Sequence, residues 1–288
     1  MIDSTRDSFT RGTLYVVATP IGNLADISAR ALAAFQVADV VCAEDTRVTG
    51  QLLSAYGIST KLVSVREHNE RSMAEQVIRW LADDKIVVQV SDAGTPAVSD
   101  PGARLAEAVW QAGYRVSPVP GASAVIATLS ASGLTTPRFL FAGFLSAKPG
   151  ERRRQLGEWR EADYAVVLYE APHRILDLLA DIVTELGESR VLLLGRELTK
   201  TFETLKRLPA AELLSWVEAD SNQQRGEIVL VIDAAPPMAQ DHGLDAEAQR
   251  VIALLAAELP TKQAAQLAAQ ITGAPKKLLY DHALSLKN

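Results

Sequence analysis

Three short loops combine glycine with small or polar residues, and each follows a predicted strand and precedes a predicted helix. They span residues 18–28, 90–102 and 119–124. Glycine lets the backbone approach a ligand closely, and a helix N-terminus presents free N–H groups to carboxylates or phosphates. In open α/β sheets such loops meet at the carboxyl ends of the strands, where ligands bind. Each glycine by itself fits an ordinary tight turn, but the three loops together predict a cleft for a small anionic or zwitterionic ligand.

The glycine loops lack the two common nucleotide-binding fingerprints. None matches Gly-x-Gly-x-x-Gly or Gly-x-x-x-x-Gly-Lys-[Ser/Thr]. Both fingerprints place backbone N–H groups around phosphates at a helix N-terminus. Their absence disfavours a nucleotide-dependent oxidoreductase and a nucleoside triphosphatase.

Charged side chains that could face this cleft occur in three clusters. Carboxylate, imidazole and ammonium groups are the usual general acids and bases of enzymes. Each cluster also has a structural interpretation, as a helix cap with a surface charge, a packed or solvated histidine, or an exposed ion pair. The clusters are Glu44, Asp45 and Arg47; Glu67, His68, Asn69 and Glu70; and Arg196, Glu197 and Lys200.

The composition limits the class of protein. Hydrophobic residues make up 48% of the 288 residues and charged residues 22%, as in globular proteins. A single cysteine, Cys42, excludes an intramolecular disulfide framework and fits a reducing cytoplasm. One cysteine and four scattered histidines cannot form a cysteine-rich metal site, so no metal is predicted. The first 12 residues lack the apolar segment of a secretory signal, and no apolar run approaches a membrane span.

The charge balance bears on nucleic-acid binding. A net charge of −6 disfavours a protein that holds naked nucleic acid by overall electrostatics. Positive charge is concentrated between Lys148 and Arg154, which we interpret as a flexible basic loop that contacts phosphate. A solvated helix start is the alternative.

Strand and helix patterns alternate along most of the chain. This alternation predicts α/β architecture with sheets covered on both faces. Asp100 followed by proline predicts the start of one helix, and the spacing of Ser72 and Glu75 another over residues 72–82. The predicted strands are residues 14–18, 40–43, 62–65, 86–90, 115–119, 164–169, 191–194 and 228–232.

The domain organisation follows from these patterns. Residues 1–12 form a tail, 13–134 a first α/β domain and 135–235 a second. A proline-containing linker precedes a small helical domain, residues 244–288, with helices over 245–258, 262–271 and 276–286. Its last two helices flank Gly273 and form a helix-turn-helix pattern. This domain is either a structural cap, which packs on the body or mediates dimerisation, or a contact for RNA.

Seven motifs occur in the order and spacing of one family. They cover about residues 12–235, and the similarity extends more weakly through the C-terminal helices. The chain resembles the bacterial 16S rRNA (cytidine-2′-O)-methyltransferases of the tetrapyrrole methylase superfamily. The motifs are ATPIGNL at 18–24, AEDTR at 43–47, HNE at 68–70, SDAGTPAVSDPG at 91–102, VPGAS at 119–123, YEAPHR at 169–174 and GRELTK at 195–200.

The resemblance implies S-adenosylmethionine in a cleft between two α/β domains, and a homodimer. Where the tetrapyrrole enzymes have Gly-Asp-Pro, this sequence has Gly94-Thr95-Pro96, so a carboxylate is missing and Asp92 is the candidate to replace it. The cofactor-binding residues implied are Pro20, Asp92, Ala93, Gly94, Thr95, Val98, Ser123, Ala124, Glu170, Leu198 and Gly226.

The resemblance also implies a reaction, the methylation of a cytidine 2′-hydroxyl in 16S rRNA of the small ribosomal subunit. We expect Asp45 and Arg47 on the substrate side, His68 or Glu197 as the base, and Lys200 beside Glu197. The residues expected to contact RNA are Lys148, Arg152, Arg153, Arg154 and Arg174. The alternatives are a superfamily methylase acting on a tetrapyrrole or a protein side chain, and a non-enzymatic ribosome-assembly factor.

Overall fold

The computed structural model describes residues 7–66, 69–236 and 244–286. The chain divides into two compact units, Met1–Ala234 and Ala235–Asn288. The larger unit contains two five-stranded sheets, and the smaller unit is helical. This architecture confirms the predicted α/β class with a C-terminal helical domain. Within the described ranges, no helix is both long and apolar enough to span a bilayer.

The first sheet is entirely parallel, with the strand order β3-β2-β4-β1-β5. Because β4 returns between β1 and β2, the loops that follow β1, β4 and β5 stand side by side at one edge. This is the position where open α/β sheets bind ligands. The strands are β1 (Thr13–Val17), β2 (Val40–Ala43), β3 (Leu62–Ser64), β4 (Ile86–Val90) and β5 (Arg115–Val119).

Helices cover both faces of this sheet, as the sequence predicts. Alternate residues of β1 point to opposite faces, so Tyr15 packs in one buried cluster with Phe35, and Leu14 packs in another with Leu105. The helices are α1 (Ala29–Val37), α2 (Thr46–Ala55), α3 (Glu70–Ala82), α4 (Ala103–Gln111) and α5 (Ala124–Ser130).

The predicted start of α4 is wrong. The helix begins at Ala103, with Gly102 rather than Asp100 at its N-cap and a φ of 129° there. A long-range contact provides the cap, because the buried Glu70 accepts a hydrogen bond of 3.0 Å from the backbone N–H of Leu105. Asp100 therefore remains in the loop.

The second sheet is mixed, with the strand order β6-β7-β10-β8-β9. Only β6 and β7 are parallel, and the other pairs are antiparallel. The sequence patterns did not predict the edge strands β6 and β9. The strands are β6 (Phe139–Phe144), β7 (Ala165–Glu170), β8 (Val191–Arg196), β9 (Thr204–Pro209) and β10 (Ile228–Ile232), and the helices are α6 (Pro149–Gly157), α7 (Ile175–Leu186) and α8 (Ala210–Ala219).

The smaller unit comprises α9 (Ala246–Glu258), α10 (Thr261–Thr272) and α11 (Lys276–Ser285). Gly273 ends α10 in the left-handed conformation, with a φ of 73°. Small side chains let these helices approach closely, since the buried core is rich in alanine, including Ala264, Ala265 and Ala268.

Candidate active site

Backbone hydrogen bonds join the three glycine loops into one surface. The N–H of Thr19 donates to the carbonyl oxygen of Gly94 (2.9 Å), and the N–H of Gly94 donates back (3.1 Å). The Thr95 hydroxyl donates to the carbonyl oxygen of Ala122 at 3.0 Å. The loops that follow β1, β4 and β5 therefore hold one another in place.

The backbone geometry requires glycine at position 94. Its φ is 75°, and a Cβ atom there would lie 3.3 Å from Cγ2 of Ile21. Two neighbouring non-glycine residues, Ala97 (φ 68°) and Ser99 (φ 61°), also adopt left-handed conformations. Such backbone strain concentrates at ligand-binding and catalytic sites. The second loop is therefore strained at Ala97 and Ser99.

A cavity of about 340 Å³ lies between these loops and the second sheet. Its volume falls within the range of ordinary small-molecule sites. The opposite wall includes Tyr169, at the end of β7, and Ile228 and Val229, at the start of β10. The residues of the predicted cofactor set that line it are Ala93, Gly94, Thr95, Val98, Ser123, Ala124, Glu170 and Gly226.

Three residues of the predicted cofactor set do not line this cavity. Pro20 precedes the lining residue Ile21, and Leu198 is buried in the apolar core beneath the cavity wall. Asp92 lines a different cavity, where its Oδ1 accepts a hydrogen bond of 2.9 Å from the N–H of Asp45. The structure therefore gives no support to Asp92 as the replacement for the missing carboxylate.

Glu170 supplies a buried acceptor in the cavity wall. Its side chain is fully buried, and Oε1 accepts a hydrogen bond of 2.8 Å from the N–H of Ala171. Nε of Arg174 lies 3.2 Å from Oε1 but without hydrogen-bond geometry, and Oε2 has no hydrogen-bond partner among the described residues. A buried oxygen without a partner is costly, so a ligand that donates a hydrogen bond would satisfy it.

The second cavity, of about 600 Å³, is polar and adjoins the first. Ser99 and Asp100 line both cavities and so form their shared wall. Both acidic and basic side chains line the polar cavity. Its lining residues are Glu44, Asp45, Arg47, Arg66, Asp92, Ser99, Asp100 and Pro101.

Asp45 and Arg47 form an ion pair at the start of α2. Asp45 is the N-cap, and its Oδ1 accepts hydrogen bonds from the N–H (2.8 Å) and Nε (3.0 Å) of Arg47. The hydrogen bonds from Arg47 hold the pKa of the Asp45 carboxyl well below its usual range. The helix-cap and substrate-side interpretations are thus compatible, since the Arg47 side chain remains 82% exposed.

Two other carboxyls of the polar cavity have pKa values above the ordinary. Partial burial raises the pKa of Glu44, with a further increase from the nearby charge of Asp92. Burial also raises the pKa of Asp100, and Asp92 adds to this shift while the Ser91 hydroxyl opposes it. Neighbouring carboxylates that are partly removed from water hold protons more tightly than isolated ones.

Glu197 and Lys200 join a charged network beside the first cavity. Nζ of Lys200 donates to Oε1 of Glu197 and to Oε2 of Glu227, both at 2.9 Å. The Lys200 ammonium lowers the pKa of Glu197, and the backbone N–H of Glu227 contributes. A Cβ atom on Gly226 would lie 2.5 Å from Glu197, so this network packs directly behind the cavity wall.

Comparison with known proteins identifies the family. The model for Tetrapyrrole (Corrin/Porphyrin) Methylases matches residues 13–214, and the RsmI C-terminal HTH domain matches residues 242–287. The chain belongs to the tetrapyrrole methylase family. It is a methyltransferase, and its methyl donor is S-adenosylmethionine.

Similar proteins align with the methylase over almost its whole length. It is 58% identical to the ribosomal RNA small subunit methyltransferase I of Neisseria meningitidis serogroup B, over 98% of this chain and 96% of that protein. The enzyme of the same name from Escherichia coli O157:H7 is 48% identical, over 96% of each chain. Uroporphyrin-III-C-methyltransferase from Thermus thermophilus shares the fold, with a TM-score of 0.56 and 22% identity over 77% of this chain and 94% of that chain.

The first cavity of this methylase fits its methyl donor. The loops of the first sheet present backbone groups and small side chains, while Ile228 and Val229 offer apolar surface to a nucleoside. Glu170 Oε2 offers an unpaired acceptor to an amino or hydroxyl group. Within the described ranges, no group of three or more metal-binding side chains is placed to hold an ion.

The basic segment of the methylase is a helix, α6, so the expectation of a flexible loop is wrong. Lys148, Arg153 and Arg154 expose 78%, 49% and 71% of their side chains. Arg152 is buried, and its Nε donates to Oδ2 of Asp181 at 2.7 Å. Arg174 donates to the carbonyl oxygen of Leu145 at 2.8 Å. The expectation that Arg152 and Arg174 face RNA is therefore not supported, since both turn inward.

Several site residues were missed from the sequence. Ser99, Asp100 and Tyr169 lie within recognised motifs, so motif membership alone could have pointed to them. Arg66 lies two residues after the end of β3 and could have been found from its position at the same sheet edge. Phe144, at the end of an unpredicted strand, carries no such signal. His68 lies outside the described residues, so its role stays a prediction.

Proposed function

We propose that this methyltransferase transfers the methyl group of S-adenosylmethionine to the 2′-hydroxyl of a cytidine in 16S rRNA of the small ribosomal subunit. One observation carries the proposal: the first cavity, which we assign to the cofactor and call the cofactor cavity, adjoins a polar cavity at Ser99 and Asp100. The exposed Arg47 and Arg66 line that polar cavity. A ribose and its phosphates match that arrangement of groups. The names of the close relatives also support an rRNA substrate.

The chain's own residues act by positioning. The bound cofactor supplies an electrophilic methyl group on a sulfonium. The hydrogen-bonded loops fix the donor site, since Thr19, Gly94 and Thr95 are linked by backbone and hydroxyl hydrogen bonds. Holding the reacting atoms in line accounts for much of the rate in such displacements.

The polar cavity would receive the nucleotide. Arg47 and Arg66 can contact phosphates on either side of the ribose, and Asp45 orients the Arg47 guanidinium. His68 remains a candidate base. Glu197 is ion-paired and has a lowered pKa, which makes it a poor proton acceptor, so we assign Glu197 and Lys200 a positioning role at the cavity wall.

Substitution of either cavity arginine tests the substrate side. Arg47→Ala and Arg66→Ala should each raise KM for small subunits by about 10-fold, because each removes one charged phosphate contact of about 1.5 kcal/mol. The affinity for S-adenosylhomocysteine, measured by calorimetry, should not change, because neither residue lines the cofactor cavity. Arg79→Ala, on the exposed face of α3, is the matched control. An unchanged KM in both variants would contradict this assignment.

We also propose that residues outside the polar cavity contribute to recognition of the small ribosomal subunit. The acidic net charge of −6 favours the assembled subunit over free RNA, because ribosomal proteins then share the recognition. The exposed Lys148, Arg153 and Arg154 supply local positive charge. We place the activity in the cytoplasm, where the subunits are.

We also propose a homodimer. Phe139 and Leu140 are exposed apolar residues on the edge strand β6, and they could be covered by a second copy of the chain. Light scattering of the purified protein would test this proposal.

Mass spectrometry of 16S rRNA tests the proposal directly. rRNA from cells with the protein should carry a ribose methyl group on one cytidine, and rRNA from deletion cells should lack it. In vitro, labelled S-adenosylmethionine should label small subunits from the deletion cells. Labelling of a tetrapyrrole or a protein instead, or an unchanged rRNA pattern, would show that the substrate is different.

A further inference from the structure

We propose that Phe144 stacks on the base of the methylated cytidine; this inference rests on the proposed function. Phe144 ends the edge strand β6 and lines the cofactor cavity. The residue is 55% exposed, so its apolar ring stands at the mouth of the cavity rather than in the core. Aromatic rings in such positions are the platforms on which proteins stack unpaired nucleobases.

A register shift turns Phe144 toward the cavity. Side chains alternate between the two faces of a strand, so Phe141 and Phe144, three residues apart, would point to opposite faces of a regular strand. Here both rings contact the ring of Tyr169, at centroid distances of 5.0 and 5.7 Å. The pairing of β6 with β7 shifts between Phe141 and Gly143, which places Phe144 opposite Tyr169. Such bulges re-aim a side chain next to an active site.

The ring of Phe144 rests on a fixed support. Phe141 and Tyr169 pack against a buried apolar cluster that includes Val229. The Tyr169 hydroxyl is also held, because it accepts a hydrogen bond from the backbone N–H of Val125. A ring whose position is already fixed loses little conformational entropy when a base binds, so more of the contact energy appears as affinity.

The end of β6 adjoins the meeting point of the two cavities. A Cβ atom on Gly143 would lie 3.1 Å from Oγ of Ser99, and Ser99 lines both the cofactor cavity and the polar cavity. Phe144 is the next residue. The ribose 2′-oxygen must lie near this meeting point, because only there can a nucleotide in the polar cavity face the methyl group of a donor in the cofactor cavity. Phe144 therefore stands close to the place of the reacting hydroxyl.

The covalent structure of a nucleotide brings the base within reach of this ring. The base is attached to C1′, the carbon next to C2′, whereas the phosphates are attached through C3′ and C5′, so the two leave the ribose in different directions. Arg47 and Arg66, which we assign to the phosphates, line the polar cavity, and Phe144 does not. Ile228 and Val229 offer the purine of the donor an apolar wall of its own. Phe144 is thus left for the base of the acceptor nucleotide.

Three substitutions of Phe144 test this contact, with small subunits from deletion cells as substrate. Phe144→Ala should raise KM for the subunits by about 10-fold, because the loss of one base–aromatic stack weakens binding by about that factor. Phe144→Tyr keeps the aromatic face and should stay within about twofold of the wild type. Phe144→Leu keeps apolar volume without an aromatic face and should raise KM by at least about fivefold. Trp110→Ala is the matched control and should leave KM unchanged, since it removes a 60% exposed aromatic residue of α4 that lines neither cavity.

Three further readouts separate stacking from other roles. Stacking releases no counterions, so the salt dependence of subunit binding should keep its slope in Phe144→Ala, whereas Arg47→Ala should reduce the slope by about one unit. Affinity for S-adenosylhomocysteine, measured by calorimetry, should change in Phe144→Ala by less than KM does. The melting temperature should stay close to that of the wild type, because more than half of the residue is already exposed.

The outcomes distinguish this inference from the proposed function. If the wild-type enzyme labels no cytidine, the proposed function fails and the stacking assignment falls with it. If the wild type labels the cytidine but KM in Phe144→Ala stays within twofold, only the stacking assignment is overturned. Equal KM values for Phe144→Tyr and Phe144→Leu would show apolar packing alone and would also overturn it.

Two other results would place Phe144 elsewhere. A loss of S-adenosylhomocysteine affinity as large as the rise in KM would assign the ring to the donor. A lower mass of Phe144→Ala in light scattering would assign it to an interface between copies of the chain. Either result overturns the stacking assignment while leaving the proposed function intact.

Discussion

Valine in place of Gly94 is expected to weaken S-adenosylmethionine binding by at least about 100-fold, or about 2.7 kcal/mol, while the larger unit remains folded. A non-glycine residue at a φ of 75° costs roughly 1–2 kcal/mol, and a β-branched residue is the least tolerated there. The new Cβ atom would lie 3.3 Å from Ile21, and the methyl groups would occupy space beside the cavity. If the loop moved to relieve this steric strain, the paired backbone hydrogen bonds between Gly94 and Thr19 would break.

Gly113→Val is the matched control for Gly94→Val. Gly113 has a φ of 80°, but a Cβ atom there meets nothing within 4 Å, and the residue lies in the turn before β5, away from the cavity. Both variants should lower the melting temperature, whereas only Gly94→Val should lose affinity for S-adenosylmethionine in calorimetry. Binding within threefold of the wild type in Gly94→Val would show that the second loop does not form the donor site.

The loops that line the first cavity were predictable because the pattern that marks them is local. Gly94, Thr95 and Ser123 belong to short segments between a strand and a helix, and both the glycine pattern and the family motifs mark such segments. Because the first sheet is parallel, the loops that follow its strands lie at the same edge and come together there. The cavity wall formed by Ile228 and Val229 was not predictable, since their sequence resembles any buried strand and only the fold places them at the cavity.

The two edge strands were missed for physical reasons. Strand β6 contains Gly143 at a φ of 65°, where its register with β7 shifts, so its pattern is interrupted. Strand β9 carries Lys206 and Arg207, as edge strands often do, and reads as a polar loop. Both strands depend on a neighbouring strand for their pairing, and single-sequence patterns do not contain that information.

The start of α4 illustrates the same limit within the site. Asp100 followed by Pro101 has the local pattern of a helix start. The cap is instead Glu70, which is 35 residues away from Leu105 in sequence. That long-range contact leaves Asp100 in the loop, where it lines both cavities. A local rule therefore fails at a residue that lines both cavities, as is expected where function competes with regular structure.

Methionine in place of Arg152 is expected to lower the free energy of unfolding of the larger unit by about 3–5 kcal/mol. Only 4% of the Arg152 side chain is exposed, and its partner Asp181 is 16% exposed, so the substitution leaves a nearly buried carboxylate with a weaker partner. Urea denaturation followed by tryptophan fluorescence measures this effect. All four tryptophans of the chain lie in the larger unit, so the signal does not report on the smaller one.

Arg153→Met is the matched control, because Arg153 lies 3.6 Å from the same carboxylate but is 49% exposed. An exposed pair contributes roughly 0–1 kcal/mol, so this variant should lose little stability. The comparison also separates the two roles that a basic segment can have. If Arg153 contacts phosphate, its loss should reduce the salt dependence of subunit binding by about one unit of slope, and the loss of Arg152 should not. Equal stability of the two variants would mean that the Arg152–Asp181 pair does not anchor α6 to α7.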